Sequence, residues 1–211
     1  MPLTRERVLL AAVELADRGG LEALSMRKLG QELGVEAMAL YRHVRDKDDL
    51  LDGVVQVLVG QIGRPDAGDG WKGTLRAQLM AARAVMLRHP WARRVLEDRG
   101  STGPATLAHI DSILGILADG GFSLELAHHA LHVLGSRIYG FEQDLLGDSG
   151  GAAAPEADPA QLQAMLAQFP HVASLAQAAS HGGTLGPCDD DVEFAFGLDL
   201  VLDGLEARLE R

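Results

Sequence analysis

Hydrogen-bond donors and cations are concentrated in a short stretch near the start of the chain. They are Ser25, Arg27, Lys28, Tyr41, Arg42, His43, Arg45 and Lys47. Side chains of these types bind phosphate oxygens through charge and hydrogen bonds. Ser25 also stands at a predicted helix N-terminus, where free backbone N–H groups can receive a phosphate. The cluster therefore predicts phosphate recognition, and nucleic acids present phosphates in a regular row.

Two short helices and the tight turn between them must position these donors. Ser25 is predicted to cap the first helix. Gly34 suits the turn because glycine accepts a positive φ without steric cost. The second helix is predicted over residues 36–43, with Leu40 and Val44 buried. Its exposed positions are Glu36, Ala37, Ala39, Arg42 and His43. This is the arrangement of a helix-turn-helix whose second helix enters the DNA major groove, where small alanines allow close approach to base edges.

The apolar pattern is helical almost throughout the chain, and no alternating strand pattern is found. The predicted fold class is therefore all-α. A three-helix domain over residues 1–54 is predicted to join a larger helical domain over residues 63–211 through a connecting helix, 46–62. The predicted helices span residues 5–18, 25–33, 36–43, 46–62, 71–88, 91–98, 103–119, 123–146, 159–179 and 190–210. The predicted loops are 63–70, 148–159 and 181–187, which are rich in Gly, Ala and Pro.

Charge is distributed unevenly along the chain. The formal net charge of −11 is unusual for a protein that binds nucleic acid. Residues 1–100 nevertheless hold 16 of the 19 basic residues and 14 acidic ones, whereas residues 101–211 hold 3 basic and 16 acidic ones. Phosphate repels an acidic surface, so any DNA is predicted to bind the N-terminal half.

The remaining composition points to a cytoplasmic protein with no membrane partner. The single cysteine, Cys188, excludes an intrachain disulfide, as expected in a reducing compartment. The first ten residues lack the apolar core of a signal peptide. No run approaches the roughly 18 apolar residues of a membrane span.

Residues 11–54 resemble the DNA-binding domain of the tetracycline-repressor (TetR) family of bacterial regulators. The matching residues are the glycine before the second helix, the turn Leu33, Gly34 and Val35, the signature Leu40, Tyr41 and His43, and then Lys47, Leu50 and Leu51. Beyond this quarter of the chain, helix layout and length are similar. The segment His89–Trp91 and a long loop before the last helices also resemble the tetracycline-repressor subgroup.

The resemblance implies a ligand-responsive repressor that binds a palindromic operator as a homodimer and is released by a small-molecule inducer. Matching positions imply phosphate contacts for Ser25, Tyr41, His43 and Lys47. They imply base reading for Arg27, Ala37, Met38, Ala39 and Arg42, with Lys28 a further donor in the first turn. The residues Ala37, Met38 and Ala39 depart from relatives that often carry polar residues or proline there, so direct hydrogen-bonded readout is expected to be sparse. The operator sequence cannot be inherited from a relative.

A ligand site in the C-terminal domain is expected between helices, mostly apolar and with a few polar groups that orient the ligand. Helix phase selects Met80, Arg83, Met86, Leu87, Trp91, His109, Ile113, His132 and Tyr139. Each of these residues could instead simply fill the core. By resemblance, the expected ligand is tetracycline-like or another apolar molecule of antibiotic size. No cofactor is predicted.

Two helices of the C-terminal domain carry apolar stripes that suit a four-helix dimer interface, two helices from each subunit. In the last helix the stripe is Phe194, Leu198, Val201, Leu202, Leu205 and Leu209, with Gly197 and Gly204 beside it. In helix 123–146 it is Leu126, Leu131, Leu134, Ile138 and Phe141. An intramolecular core would account for part of both stripes.

Other residues with possible chemistry are given structural roles. His128, His129 and His132 have the spacing of metal ligands on a helix, but packing, dimer contacts or ligand hydrogen bonds are favoured and no metal is predicted. The cluster 189–191 is expected to cap the last helix. The alternatives to a repressor are a helical enzyme and a protein-interaction module without DNA binding. No catalytic residue is assigned, because no nucleophile elbow, phosphate loop or metalloprotease spacing is present.

Overall fold

The computed structural model describes residues 2–63, 69–99, 103–139, 167–179 and 189–210. Within these ranges the chain is helical and contains no strand, which confirms the all-α prediction. The helices are α1 (Arg5–Gly19), α2 (Met26–Leu33), α3 (Ala37–Leu40), α4 (Lys47–Ile62), α5 (Gly70–Arg88), α6 (Ala92–Arg99), α7 (Pro104–Asp119), α8 (Leu124–Tyr139), α9 (Pro170–Ala179) and α10 (Asp190–Leu209), with a 3₁₀ turn at Leu21–Ala23. Among them, none is long and apolar enough to cross a lipid bilayer.

Side-chain caps set the starts of α1 and α4. Thr4 Oγ1 accepts a hydrogen bond from the Arg7 backbone N–H at 3.2 Å. Asp46 Oδ1 accepts one from the Asp49 N–H at 2.8 Å. Each cap satisfies a backbone donor that has no carbonyl partner inside its helix. At the other end of the chain, Asp189 Oδ1 accepts from the Asp191 and Val192 N–H groups and caps α10 as expected.

Some predicted elements differ from the structure. The second helix of the helix-turn-helix, predicted over 36–43, is α-helical only at Ala37–Leu40 and continues as a turn. The cause is a switch to shorter hydrogen bonds, because the Arg42 and His43 N–H groups donate to Ala39 and Leu40 rather than four residues back. The predicted loops 148–159 and 181–187, Cys188, and residues 140–146 and 159–166 of two predicted helices lie outside the described residues, as does Phe141.

The chain folds into two compact units, one of residues 1–139 with 201–211 and one of residues 140–200. In the first unit α4 is the central helix and packs against α1, α5, α6 and α7. Helix α5 also contacts α7 and α8, and α7 contacts α8. The described part of the second unit is α9 and the first half of α10.

The apolar core around α1 to α4 is built from aliphatic side chains. Val8, Leu29, Leu40, Leu50 and Leu58 are fully buried in it. Burial of one leucine side chain stabilises the folded chain by about 1.5–3 kcal/mol, so this small domain depends on each of them. The same core cluster includes Ala82, Val85 and Ala92. The first domain is therefore packed directly onto α5 and α6.

Candidate nucleic-acid interface

The first turn of α2 offers several donors at the surface. Ser25 is exposed and caps the helix, with its Oγ 3.3 Å from the Lys28 backbone N–H. Arg27 and Lys28 are also exposed. Because the N–H groups of a first turn carry partial positive charge and lack helical partners, this end of α2 can bind a phosphate oxygen.

Two glycines allow α2 and α3 to meet at a sharp angle. Gly34 adopts the left-handed conformation, with φ 68° and ψ 32°, and ends α2. The Val35 N–H then donates to the Gly30 carbonyl at 2.9 Å. A Cβ atom on Gly30 would lie 2.8 Å from the Val35 carbonyl oxygen and 3.2 Å from the Ala37 nitrogen. The sequence analysis found Gly34 but missed Gly30, whose spacing four residues before the turn glycine was the available signal.

The α3 segment presents the side chains predicted to read bases. Leu40 is fully buried and Val44 is 1% exposed, so both anchor the segment to the core as predicted. Met38 is 74% exposed and Tyr41 is 44% exposed. Ala37 and Ala39 are partly exposed, Arg42 and Lys47 are exposed, and His43 is partly buried. The most exposed side chain of α3 is thus the thioether of Met38, and the hydrogen-bond donors lie on the turn that follows the helix.

An ion pair that the sequence analysis missed holds the loop after α3. Arg5 Nη2 lies 2.8 Å from Asp49 Oδ1, and Arg5 Nη1 donates to the His43 carbonyl at 2.7 Å. Asp49 Oδ2 accepts from the Arg45 backbone N–H at 2.8 Å. One guanidinium therefore joins the start of α1 to the loop that carries His43 and to the start of α4. The signal was weak, because the two charges are separated by 44 positions.

The electrostatics of Asp49 reflect this network. The hydrogen bond from Arg5, followed by the one from the Arg45 N–H, lowers the pKa of Asp49 from 3.8 to about 2. Hydrogen bonds and a nearby cation favour the ionised carboxylate. The charge of Arg5 is thus paired with Asp49 within the protein. Exposed cations that can bind a phosphate backbone are found on α2, on the turn after α3 and at Lys47.

The residues predicted to bind a ligand fall into three groups. Arg83 and Ile113 are buried, and Met80, Met86 and His109 are partly buried on α5 and α7, which contact each other. Leu87 is 54% exposed and His132 is exposed, so neither lines an interior site in the described structure, because helix phase places them on outer faces. Trp91 is partly buried but packs on the first domain and donates from Nε1 to Asp17. The Tyr139 side chain lies outside the described residues.

Polar groups that the sequence analysis missed stand beside His109. Gln78 is 2% exposed, and its Nε2 lies 3.2 Å from His109 Nδ1. Burial lowers the pKa of His109, so the neutral ring accepts a hydrogen bond from the amide. Thr106 Oγ1 on the same helix as His109 is buried and has no hydrogen-bond partner in the described part of the chain. Interior polar groups between apolar helices are the usual means of orienting a ligand.

The three histidines of α8 are exposed, and the ring of His128 is in edge-on contact with the rings of His129 and His132. The ring centroids of His128 and His132 are 4.6 Å apart, and those of His128 and His129 are 5.7 Å apart. Within the described ranges, no group of three or more His, Cys, Asp or Glu side chains is arranged to hold a metal ion.

The apolar stripe predicted for dimerisation in α10 is placed differently. Phe194, Leu198, Leu202 and Leu205 are buried within the single chain, and Leu134 of α8 is buried as well. The α10 face that remains exposed carries Val192, Phe196 and Leu200, at 60%, 61% and 57%. These residues belong to the intramolecular core that the sequence analysis allowed for part of the stripe, and α10 has a second apolar side that periodicity alone does not separate from the first.

Two family models match adjoining parts of the chain. Residues 8–54 match the family described as bacterial regulatory proteins, tetR family. Residues 64–209 match the family described as the tetracyclin repressor-like C-terminal domain. Together the two matches extend over nearly all of the described helices.

Individual proteins show the same similarity. The HTH-type transcriptional repressor DrrR1 of Streptomyces coeruleorubidus is 34% identical over 97% of this chain and 77% of its own length. The tetracycline repressor protein class C of Escherichia coli is 30% identical over 97% of this chain and 91% of its own. The solved structure of the TetR family protein ActR of Streptomyces coelicolor, in complex with (S)-DNPA, has a TM-score of 0.72 and 30% identity, covering 99% of this chain and 100% of ActR.

Proposed function

The chain belongs to the tetracycline-repressor family of bacterial transcriptional regulators, and from that premise we propose that it is a ligand-released repressor that binds a palindromic operator as a homodimer. The observation that carries the proposal is the exposed α2–turn–α3 surface with its clustered donors. Its relatives regulate transcription and are not enzymes, which removes the enzyme alternative. As a regulator of bacterial DNA, it would act in the cytoplasm.

The proposed DNA contacts are of two kinds: phosphate contacts that position the protein on the duplex, and base contacts that recognise its sequence. Phosphate contacts fall to the first turn of α2, to the turn after α3 and to the start of α4: Ser25, Lys28, Tyr41, His43 and Lys47. Base contacts fall to Arg27, Ala37, Met38, Ala39 and Arg42. Apolar atoms dominate the centre of this second group, so contact with thymine methyl groups and the shape of the groove contribute much of the specificity.

The proposed dimer uses the exposed apolar face of α10. Val192, Phe196 and Leu200 follow a spacing of four residues and lie on one side of that helix. Three large apolar side chains at this exposure form a hydrophobic surface patch, and such patches commonly mark protein–protein interfaces. Packing of this face of α10 against its counterpart in the second subunit would bury the patch in a symmetric dimer.

The proposed ligand site lies between α5 and α7, around Gln78, Arg83, Thr106 and His109. Met80, Met86 and Ile113 supply apolar surface beside these polar groups. A tetracycline-like compound, or another apolar molecule of antibiotic size, fits a site of this chemistry. The name of the class C tetracycline repressor supports this class of ligand. Release requires that the ligand bind the DNA-free conformation more tightly than the DNA-bound one.

The test begins with selection of duplexes from a random library by the full-length chain. An inverted repeat is expected, with half-sites about one helical turn apart, roughly 34–36 Å. Lys47→Ala should weaken binding to all selected sequences and reduce the slope of log affinity against log salt by about one. Arg208→Ala is the matched control, because it removes an exposed cation from α10 and should leave both quantities unchanged. If no duplex is enriched, a protein-interaction module would be the better interpretation.

A further inference from the structure

The ends of three helices meet at one buried imidazole. His89 follows the last residue of α5 and is 7% exposed. Its Nδ1 lies 2.7 Å from Asp17 Oδ1, in the last turn of α1. Its Nε2 lies 3.0 Å from Gln61 Oε1, in the last turn of α4. The indole Nε1 of Trp91 donates to the same Asp17 oxygen at 2.7 Å.

The donor and acceptor roles follow from chemistry. An ionised carboxylate only accepts hydrogen bonds, so the proton toward Asp17 is on His89 Nδ1. The amide of Gln61 can turn to present either its oxygen or its NH₂ group, so it can pair with Nε2 in either state of that atom. Both ring nitrogens of His89 therefore have partners, one on α1 of the DNA-binding domain and one on the connecting helix α4.

Asp17 stands where a carboxylate is unfavourable without donors. The carboxyl-terminal end of a helix carries partial negative charge, which repels an acidic side chain in the last turn. The N–H groups of His89 and Trp91 offset this repulsion, because both donate to one oxygen atom. The strength of these two hydrogen bonds therefore depends on the position of α1 relative to the corner between α5 and α6, where His89 and Trp91 lie.

Apolar packing leads to the same corner. Ala82, Val85 and Ala92 belong to the core cluster of the first domain, and Met86 and Trp91 pack against it. Met80, Arg83 and Met86 of the same helix were placed in the proposed ligand site. The corner that holds Asp17 is thus the end of a helix that borders the sensor.

We propose that His89 is a positioning residue for operator binding: by joining Asp17 to Gln61 it fixes the helix-turn-helix in the orientation that fits DNA. The inference rests on the proposed function, since it names residues that set the affinity of that function. Loss of the contact between His89 and Asp17 lets the packed helix α1 vary more in its orientation, and the entropy of that added motion must be lost when DNA binds. The contact connects α1 to α5 directly, without passing through the middle of α4.

The experiment measures the operator dissociation constant of the full-length chain by fluorescence anisotropy, on a duplex selected by the unaltered protein. His89→Ala and Asp17→Ala should each weaken binding about tenfold, since each removes a charge-assisted hydrogen bond. The double variant should weaken binding by clearly less than the product of the two single effects, because both single changes remove the contact between His89 and Asp17. His89→Asn places an amide N–H near the position of Nδ1 and should restore most of the affinity.

Controls separate positioning from stability. Arg94→Ala breaks the neighbouring but exposed pair with Glu22, 3.0 Å apart, and should change the affinity less than about twofold. Trp91→Phe keeps the apolar ring, loses one donor to Asp17 and should show an intermediate loss. A lower melting temperature of His89→Ala with unchanged operator affinity would mean a purely structural role and overturn the inference. Failure of the unaltered chain to select any duplex would refute the proposed function, and the positioning role with it.

Discussion

Asp49 shows how a single carboxylate stabilises the DNA-binding domain. Its lowered pKa means that the ionised form stabilises the folded chain above the unfolded-state value near 3.8, and that this contribution is lost as the pH falls toward about 2. Asp49→Asn should reduce the free energy of unfolding at pH 7 by about 1.5–3 kcal/mol. It should also flatten the pH dependence of stability between those two values. Urea unfolding at several pH values measures both, with exposed Glu14→Gln as the control; equal slopes for Asp49→Asn and the unaltered chain would contradict the prediction.

Met38 offers a second test at this scale. It is the most exposed side chain of α3 and is proposed to contact DNA, where it can offer only apolar atoms, so Met38→Ala should change the preferred operator sequence. The salt dependence should stay the same, because no phosphate contact is removed. Tyr41→Phe is the matched comparison, since losing a phenolic hydroxyl at a phosphate should weaken all sequences alike. Parallel selection with the three proteins measures preference, and an unchanged preference for Met38→Ala would remove it from the reading surface.

The caps at Thr4, Ser25 and Asp46 were predictable because a cap depends on residues three positions apart. The pair of Arg5 and Asp49 was not, because it depends on how α1 and α4 pack in three dimensions. His109 was selected by phase, whereas its partner Gln78 was missed because helical periodicity gives no sign of a buried amide. Leu87 and His132 were selected by phase but are exposed in the structure, since a helix with several apolar positions has more than one possible inner side.

At the scale of elements, the angle between α2 and α3 depends on Gly30. Gly30→Ala would place a Cβ atom against backbone atoms of Val35 and Ala37, which cannot rotate away. The expected loss of stability is about 1–3 kcal/mol, as for other overpacked sites. Gly60→Ala is a matched control in α4, because no atom lies within 4 Å of its added Cβ. It should stabilise the chain by about 0.5–1 kcal/mol through the better helix propensity of alanine.

Thermal unfolding of the two alanine variants checks this prediction. A decrease in melting temperature for Gly30→Ala together with an increase for Gly60→Ala would support it. Equal effects of the two substitutions would show that helix propensity, and not the contact between α2 and α3, controls the result. The sequence predicted both helices and the turn, but the short length of α3 arises from hydrogen bonds that a hydrophobic pattern does not encode.

For the whole molecule, the exposed face of α10 should control assembly. Phe196→Glu and Leu200→Glu place charges in the proposed interface and should yield monomers, because a buried unpaired charge is strongly unfavourable. Operator affinity should fall when dimerisation is lost, since two monomers then bind the two half-sites separately. Leu107→Glu on α7 is the control, with a similar exposure of 52%. Light scattering after gel filtration measures the mass, and a dimeric Phe196→Glu would place the interface elsewhere.

The segment between residues 139 and 201 leaves the first unit and returns to it. Ion pairs hold the part of α10 that follows this segment, because Lys72 Nζ of α5 lies 2.6 Å from Asp203 Oδ1 and 2.5 Å from Glu206 Oε2. These contacts raise the pKa of Lys72 to about 12. A chain excursion whose two ends are fixed loses entropy only with the logarithm of its length, about 0.6 kcal/mol for each doubling. Insertions and deletions in the predicted loops of this segment, 148–159 and 181–187, are therefore inexpensive for the rest of the protein when the exposed face of α10 is kept. Evolution can lengthen or shorten these loops while the dimer keeps its operator, which gives a lineage of such repressors a way to acquire new signals.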